Sequence, residues 1–208
     1  MMNTFTKKII VTITALAAMT TSLCACNGNN ETSIGATTAP NENASIETLV
    51  DEQMSSLIEK SETFYDIYLR CNPETEEYDY NALPEDENGF RYAPVKTYKS
   101  IKEMQEDTEK YFTSDGAEKL FYSVALKGVI PFFVDDGGQL KVIADSMSAG
   151  ENKWDTSSAK ITSSDEKSAV VYVEYMDIYD TAKSADFTVV NDKGTLKIDN
   201  IIYDNGRK

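Results

Sequence analysis

Carboxylates are the reactive groups this chain has in quantity: 35 Asp and Glu among 208 residues, with no histidine at all. They gather in two places. Glu85-Asp86-Glu87 lies within a stretch from Glu74 to Asn88 that lacks Lys and Arg, and Asp135-Asp136 precedes Gly137-Gly138. Such oxygen clusters suit calcium, but the spacing fails: placing Gly89 as the invariant glycine of an EF-hand loop puts Pro84 at the first ligand position and Val95 at the last. A carboxylate pair for glycoside cleavage is formally available, yet nothing marks two of these residues as special, and the chain is small for a glycosidase cleft. Ser-His-Asp and Cys-His nucleophiles, HExxH zinc sites and zinc knuckles need imidazole, several thiolates or both. The expectation is no catalysis, no cofactor and no metal. Arg91 and Tyr92, beside the acidic stretch, are residue types favoured as interface anchors. The candidate partner-binding residues are therefore Glu85, Asp86, Glu87, Arg91, Tyr92, Asp135 and Asp136, set against the plainer reading of solvated loop charge.

One cysteine carries a different chemistry. Lys7 and Lys8 precede an apolar run from Ile9 to Met19, and the segment closes at Leu23-Cys24-Ala25-Cys26. A positive start, an apolar core of about 7–15 residues and a small-residue cut site make an export signal. Leu-x-Ala-Cys has the form of a bacterial lipobox, so residues 1–25 are expected to be a lipoprotein signal peptide and Cys26 the lipid attachment site. The apolar run is short for a membrane span. With Cys26 committed to lipid, Cys71 has no intrachain disulfide partner after processing and reads as a small buried hydrophobe near a helix end. Two of the 20 Lys and Arg, Lys7 and Lys8, precede Cys26 while every acidic residue follows it, so the net charge moves from −15 to −17 on processing. That balance disfavours nucleic acid and direct adsorption to anionic lipid, and suits a basic protein partner.

Behind the anchor, residues 26–45 are Asn-, Gly-, Thr- and Ser-rich and read as a flexible tether with a reach of about 20–25 Å. Residues 46–208 fit one domain. Ile46, Leu49, Val50, Met54, Leu57, Ile58, Phe64, Tyr65 and Tyr68 recur at the spacing of one helical face, and Asn72-Pro73 stops that helix near Leu69 to Cys71. Tyr78 and Tyr80 alternate as in an edge strand. Ser100-Ile101-Lys102-Glu103 is a capping box opening a helix whose buried face runs through Met104, Thr108, Tyr111 and Phe112. Thr113 caps a shorter helix through Ala117, Leu120 and Phe121. From Val129 the period becomes two: Ile130–Val134 and Leu140–Ile143 flank the turn Asp135-Asp136-Gly137-Gly138. Strands follow at 158–162, 169–176, 185–190 and 196–203, with Trp154 just ahead of the first as a core anchor. The fold class expected is α+β, with N-terminal helices packed on one face of an antiparallel β-sheet meander.

Gly89-Phe90-Arg91-Tyr92, the helix from Ser100 through Tyr111-Phe112-Thr113, Ala117 to Phe121, the glycine-tipped hairpin, Trp154-Asp155 and the closing meander together resemble the IseA family of exported bacterial inhibitors of DL-endopeptidases. The resemblance covers roughly Ile46 to Tyr203 in order of elements. It departs at Gly194-Thr195, where such proteins often carry Gly-Trp. It implies a lipid-anchored protein on the extracytoplasmic face of the membrane that occludes the cleft of a cell-wall cysteine endopeptidase. The alternative is a small-ligand-binding or structural lipoprotein with a cystatin-like or nuclear-transport-factor-like cone fold. An apolar cavity of about 300 Å³ or more between helix and sheet would mark the ligand binder, and a cleft lined by loops and carboxylates the inhibitor.

Overall fold

A computed structural model describes residues 42–145 and 150–204. Cys26, the export segment and most of the tether lie outside them. Helix α1 spans Ile46–Leu69, and its N-terminus is capped by Ser45, whose Oγ accepts from the Thr48 N–H. The apolar spacing read from the sequence is the buried face: Leu49, Val50, Met54, Leu57, Ile58, Phe64 and Tyr68 are all buried. The helix ends at Arg70, and Cys71 follows at φ 54° in the left-handed region where glycine is usual. Burial pushes the Cys71 thiol up to about 11.

Two antiparallel sheets divide the remaining strands, where the sequence suggested one meander. The three-stranded sheet has the order β1-β3-β2, from Tyr92–Pro94, Gln139–Ile143 and Phe133–Asp136. The four-stranded sheet is a true meander, β4 (Lys153–Ser164), β5 (Ser168–Met176), β6 (Ala182–Asp192) and β7 (Thr195–Tyr203). Strand β4 starts at Lys153, so Trp154 lies within the strand rather than before it. Asp136 pairs with Gln139, which leaves Gly137 and Gly138 as a two-residue turn with φ of 60° and 86°. Asp135 and Asp136 therefore belong to β2 and not to the turn. Two positive φ angles are what a type I′ hairpin requires, and glycine meets both without steric cost.

Helix α1 covers one face of the meander, burying Val171, Val173, Phe187, Val189, Leu196 and Ile198 from the inward-facing positions. This is the α+β arrangement expected, one sheet face covered by helix. Helix α2 (Ile101–Thr108) opens on the capping box, with the Glu103 N–H donating to Ser100 Oγ at 3.1 Å. The Glu103 carboxylate reaches back to the N–H of Lys99 at 2.7 Å, one residue earlier than the reciprocal bond of a standard box. The chain leaves the helix before Tyr111-Phe112-Thr113, which adds to the β7 edge: Ile198 N–H donates to Tyr111 O (2.8 Å) and Thr113 N–H to Ile198 O (2.9 Å). Thr113 then caps α3 (Ser114–Ala117), its Oγ1 accepting from Gly116 N–H at 2.9 Å. The expected single helix changes to a π turn at Glu118–Tyr122 and back to α4 (Ser123–Ala125). The wider turn carries Phe121 and Tyr122 into the core. There Tyr68 stacks on Phe121 at 5.1 Å and meets Phe133 at 5.9 Å, so one aromatic cluster joins α1, the π turn and the smaller sheet. Among the described residues no helix is long and apolar enough to cross a membrane.

Candidate functional site

The acidic stretch folds over the smaller sheet and is held by side chains from both ends. Tyr80–Ala82 forms a single 3₁₀ turn capped by Asp79, not the edge strand that the alternating tyrosines suggested. Isolated backbone pairings of Thr75 with Val95 and of Glu85 with Arg91 close the loop at its base. At the tip, Asp86 accepts from the N–H groups of Asn88 and Phe90, each at 2.8 Å, and its carbonyl accepts from Gly89 N–H at 3.1 Å. Gly89 sits at φ 85° with nothing near its missing Cβ, so backbone conformation alone requires glycine there.

Arg91 organises this loop from below. Its guanidinium pairs with the Glu85 carboxylate, donates to Tyr80 Oη at 3.2 Å and lies 4.9 Å from the centre of the Tyr80 ring. Tyr80 Oη donates in turn to Asp145, whose other oxygen accepts the Arg91 N–H at 3.0 Å. The Tyr80 hydrogen bond, then Glu85, hold the Arg91 pKa above its ordinary value, and the bonds from Tyr80 and the Arg91 backbone lower that of Asp145. Arg91 thus serves the loop's own geometry. Tyr92 is half-buried and donates to Pro131 O at 3.0 Å, stitching β1 to the segment before β2. Burial first, then the nearby Asp86 charge, raise its hydroxyl pKa.

The two acidic clusters are brought together. Pro84, Glu85, Asp86, Glu87 and Tyr92 on one side and Val129, Ile130, Pro131, Val134 and Asp136 on the other line an open cleft of about 530 Å³. Successive side chains of a strand point to opposite faces, which separates the two aspartates of β2. Asp136 faces the cleft and pairs with Lys141 at 2.6 Å. Asp135 points the other way and accepts the Ile101 N–H at 3.1 Å, a carboxylate at the start of α2 where the helix dipole favours it. Of the seven residues singled out in sequence, Glu85, Asp86, Glu87, Tyr92 and Asp136 line the cleft. Arg91 and Asp135 support its walls.

The apolar lip was not legible beforehand. Val129 is wholly exposed, on a loop closed by the Phe132 N–H donating to Ala125 O at 2.7 Å. Its sequence signal is Gly128 followed by Val-Ile-Pro: Gly128 has room for no Cβ, which would meet Val124 O at 2.6 Å. Lys141 also lines the cleft, and with Glu85 paired to Arg91, Asp136 to Lys141 and Asp86 to backbone N–H groups, a cationic side chain entering it would meet Glu87 or share these paired carboxylates, while aliphatic groups lie against Val129, Ile130 and Val134. Among the described residues no group of His, Cys, Asp and Glu is placed to hold a metal ion.

The interior between α1 and the larger sheet is packed, but at its edge Glu59, Thr63, Asp66 and Ile67 of α1 and Trp154 and Thr156 of β4 line an open, largely polar groove of about 680 Å³. Trp154 lies 4.5 Å from the Tyr175 ring and 5.3 Å from Phe187, and its Nε1–H donates to Glu62 Oε2 at 2.9 Å. Glu62 also accepts from Arg70 at 2.7 Å and from the Asn152 N–H at 3.1 Å. Where the last hairpin has Gly194-Thr195, its backbone is gripped by Gln53 of α1, which donates to Gly194 O (3.1 Å) and accepts from Leu196 N–H (2.8 Å). Comparison with known family models, with curated proteins and with solved structures finds no match for this chain.

Proposed function

We propose that this protein is a non-enzymatic, lipid-anchored inhibitor that acts outside the cytoplasm and binds a cell-wall DL-endopeptidase through the cleft beneath its acidic loop. The observation that carries this reading is the cleft's composition: Glu85, Glu87 and Asp136 face an apolar lip of Val129, Ile130 and Pro131. A surface that pairs carboxylates with exposed aliphatic side chains suits a protein partner with a basic rim around an apolar centre. The net charge of −17 left after removal of Lys7 and Lys8 with the export segment supplies long-range steering toward such a partner. With no histidine in the chain, a general base would have to be a carboxylate, and the cleft carboxylates include Asp86, already engaged by backbone N–H groups. The ligand-binding alternative receives less support, because Phe64, Phe112, Phe187 and Ile198 fill the helix–sheet core and the groove of about 680 Å³ at its edge is open and lined by Glu59, Glu62, Asp66, Glu74 and Glu151 rather than being an apolar cavity.

Association kinetics with a purified DL-endopeptidase test the reading. The on-rate is expected to fall steeply as salt rises, because the Debye length shrinks to about 8 Å at physiological ionic strength. Replacing Glu85 and Glu87 by Gln together with Asp136 by Asn should slow association more than it speeds dissociation. Replacing Val129 by Ser should instead raise the off-rate by a factor of about 5–150, the effect of losing a contact worth roughly 1–3 kcal/mol. Absence of binding at low salt, or binding indifferent to all four positions, refutes the proposal. Fatty-acid labelling that persists after Cys26→Ala would refute Cys26 as the lipid attachment site.

A further inference from the structure

Among the described residues, asparagine is followed by glycine only at the tip of the acidic loop, in Asn88-Gly89. In such a pair the glycine nitrogen can attack the preceding side-chain amide with no side chain of its own in the way. Both residues are exposed, nothing lies near the missing Gly89 Cβ, and the Asn88 amide has no hydrogen-bond partner among the described residues. What restrains the tip is Asp86. Its Oδ1 accepts from the N–H groups of Asn88 and Phe90, each at 2.8 Å, while its carbonyl accepts from the Gly89 N–H at 3.1 Å. The attacking nitrogen is therefore held by the longest of the three bonds, and by the one acceptor that carries no charge.

We propose that Asn88-Gly89 deamidates spontaneously and that the change ages the cleft beneath the loop. Gly89 N gives up its proton to hydroxide and bonds to Asn88 Cγ. The Cγ–Nδ2 bond then breaks, ammonia leaves, and a succinimide ring is closed. Water opens the ring at either carbonyl. Attack at Cγ leaves aspartate at position 88 in an ordinary main chain, whereas attack at the main-chain carbonyl carbon leaves isoaspartate and a main chain one carbon longer. Either product sets a new carboxylate beside Asp86 and Glu87 in the lining of the cleft. In isoaspartate the inserted carbon lies between the nitrogens of residues 88 and 90, the two donors that share Asp86 Oδ1, so the clamp that shapes the tip is broken. The chemistry stands by itself, while its consequence for partner binding rests on the inhibitor reading.

Incubation of the full chain at 37 °C near pH 7 and near pH 9, followed by peptide mapping, tests the proposal, with the urea-unfolded chain as reference. The expected result is a gain of about 1 Da on the peptide that holds Asn88. It should be faster at the higher pH, because the attacking nitrogen must lose a proton, and slower than in the unfolded chain, because Asp86 holds the turn. Asp86→Ala should speed it by at least about tenfold, the factor that corresponds to losing hydrogen bonds to a charged group. Asn88→Gln should suppress it. Hydrogen exchange at the Phe90 amide reads the clamp without any partner: its protection should be lost in the isoaspartate form and kept in Asn88→Asp, which adds the charge alone. The aged chain should likewise leave a DL-endopeptidase faster than Asn88→Asp does. A peptide that stays unmodified in the folded chain while the unfolded chain is converted, or a rate indifferent to Asp86→Ala, overturns the deamidation. Unchanged Phe90 protection in the isoaspartate form overturns its effect on the cleft. An unaged chain that binds no DL-endopeptidase counts against the inhibitor reading instead, and the mapping and exchange results still decide the proposal made here.

Discussion

Removing the Glu62 carboxylate should be among the most destabilising single changes in the described domain. Its side chain is 14% exposed and that of Arg70 only 6%, so the pair is largely desolvated. Glu62→Ala withdraws three acceptor contacts at once: from Arg70 at 2.7 Å, Trp154 Nε1 at 2.9 Å and Asn152 N at 3.1 Å. Two neutral donors left without a partner cost about 1–3 kcal/mol each. Arg70 retains Asp66 at 3.5 Å, so its charge is weakened in pairing rather than abandoned. The total should lie near 3–5 kcal/mol, as for breaking a buried ion pair from one side. For a domain of this size that corresponds to a fall in Tm of roughly 6–20 °C. Trp154 is the only tryptophan and touches Glu62 directly, so urea unfolding followed by its fluorescence reports both the global transition and the local one. Native emission of the variant should shift to the red as water reaches the indole. Replacing both partners with apolar side chains, Glu62→Leu with Arg70→Met, should cost less than Glu62→Ala alone, because no buried charge is left behind. A loss below about 1 kcal/mol for Glu62→Ala, or strictly additive effects in the double variant, would show that the network is solvated and the reasoning wrong.

Two further outcomes follow from the same geometry. Gly116→Ala should destabilise by about 1–3 kcal/mol even though alanine is the better helix former, since its Cβ would meet Ile198 O at 2.7 Å and Asp199 O at 2.8 Å; calorimetry showing an unchanged or higher Tm would contradict this. Asp145, Asp165 and Asp177 are held below their ordinary carboxylate values, chiefly by hydrogen bonds from the Tyr80 hydroxyl, the Lys167 N–H and the Thr181 N–H respectively. Each folded value lies below the unfolded one, so each contributes stability above about pH 4 that fades as the pH falls through the folded value. Denaturation midpoints measured between pH 7 and pH 2.5 should decline on the acid side, and Asp177→Asn should reduce that decline; midpoints that rise on acidification through pH 4 would reverse the sign assigned here.

Local periodicity alone determined most of the secondary structure. The face of α1, the caps at Ser100 and Thr113 and the four strands of the meander depend on neighbours within a few residues, and those neighbours are adjacent in sequence. The acidic loop and its glycine were legible for the same reason. Where the sequence reading departed from the structure, a distant group had decided the matter. Tyr80 left its alternation to meet Arg91 and Asp145, and Trp154 entered β4 because Tyr175 and Glu62 lie beside it. The π turn at Glu118–Tyr122 answers to the aromatic cluster around Tyr68 rather than to any local preference. The division into two sheets arises because β1 pairs with β3, strands some fifty residues apart, while β4 pairs only with β5. The candidate cleft belongs to this second class. Glu85 and Asp136 are each visible as charge in the sequence, but that they share one cleft with Val129, while Asp135 turns away to the start of α2, follows from strand alternation on a sheet that only long-range pairing could assemble.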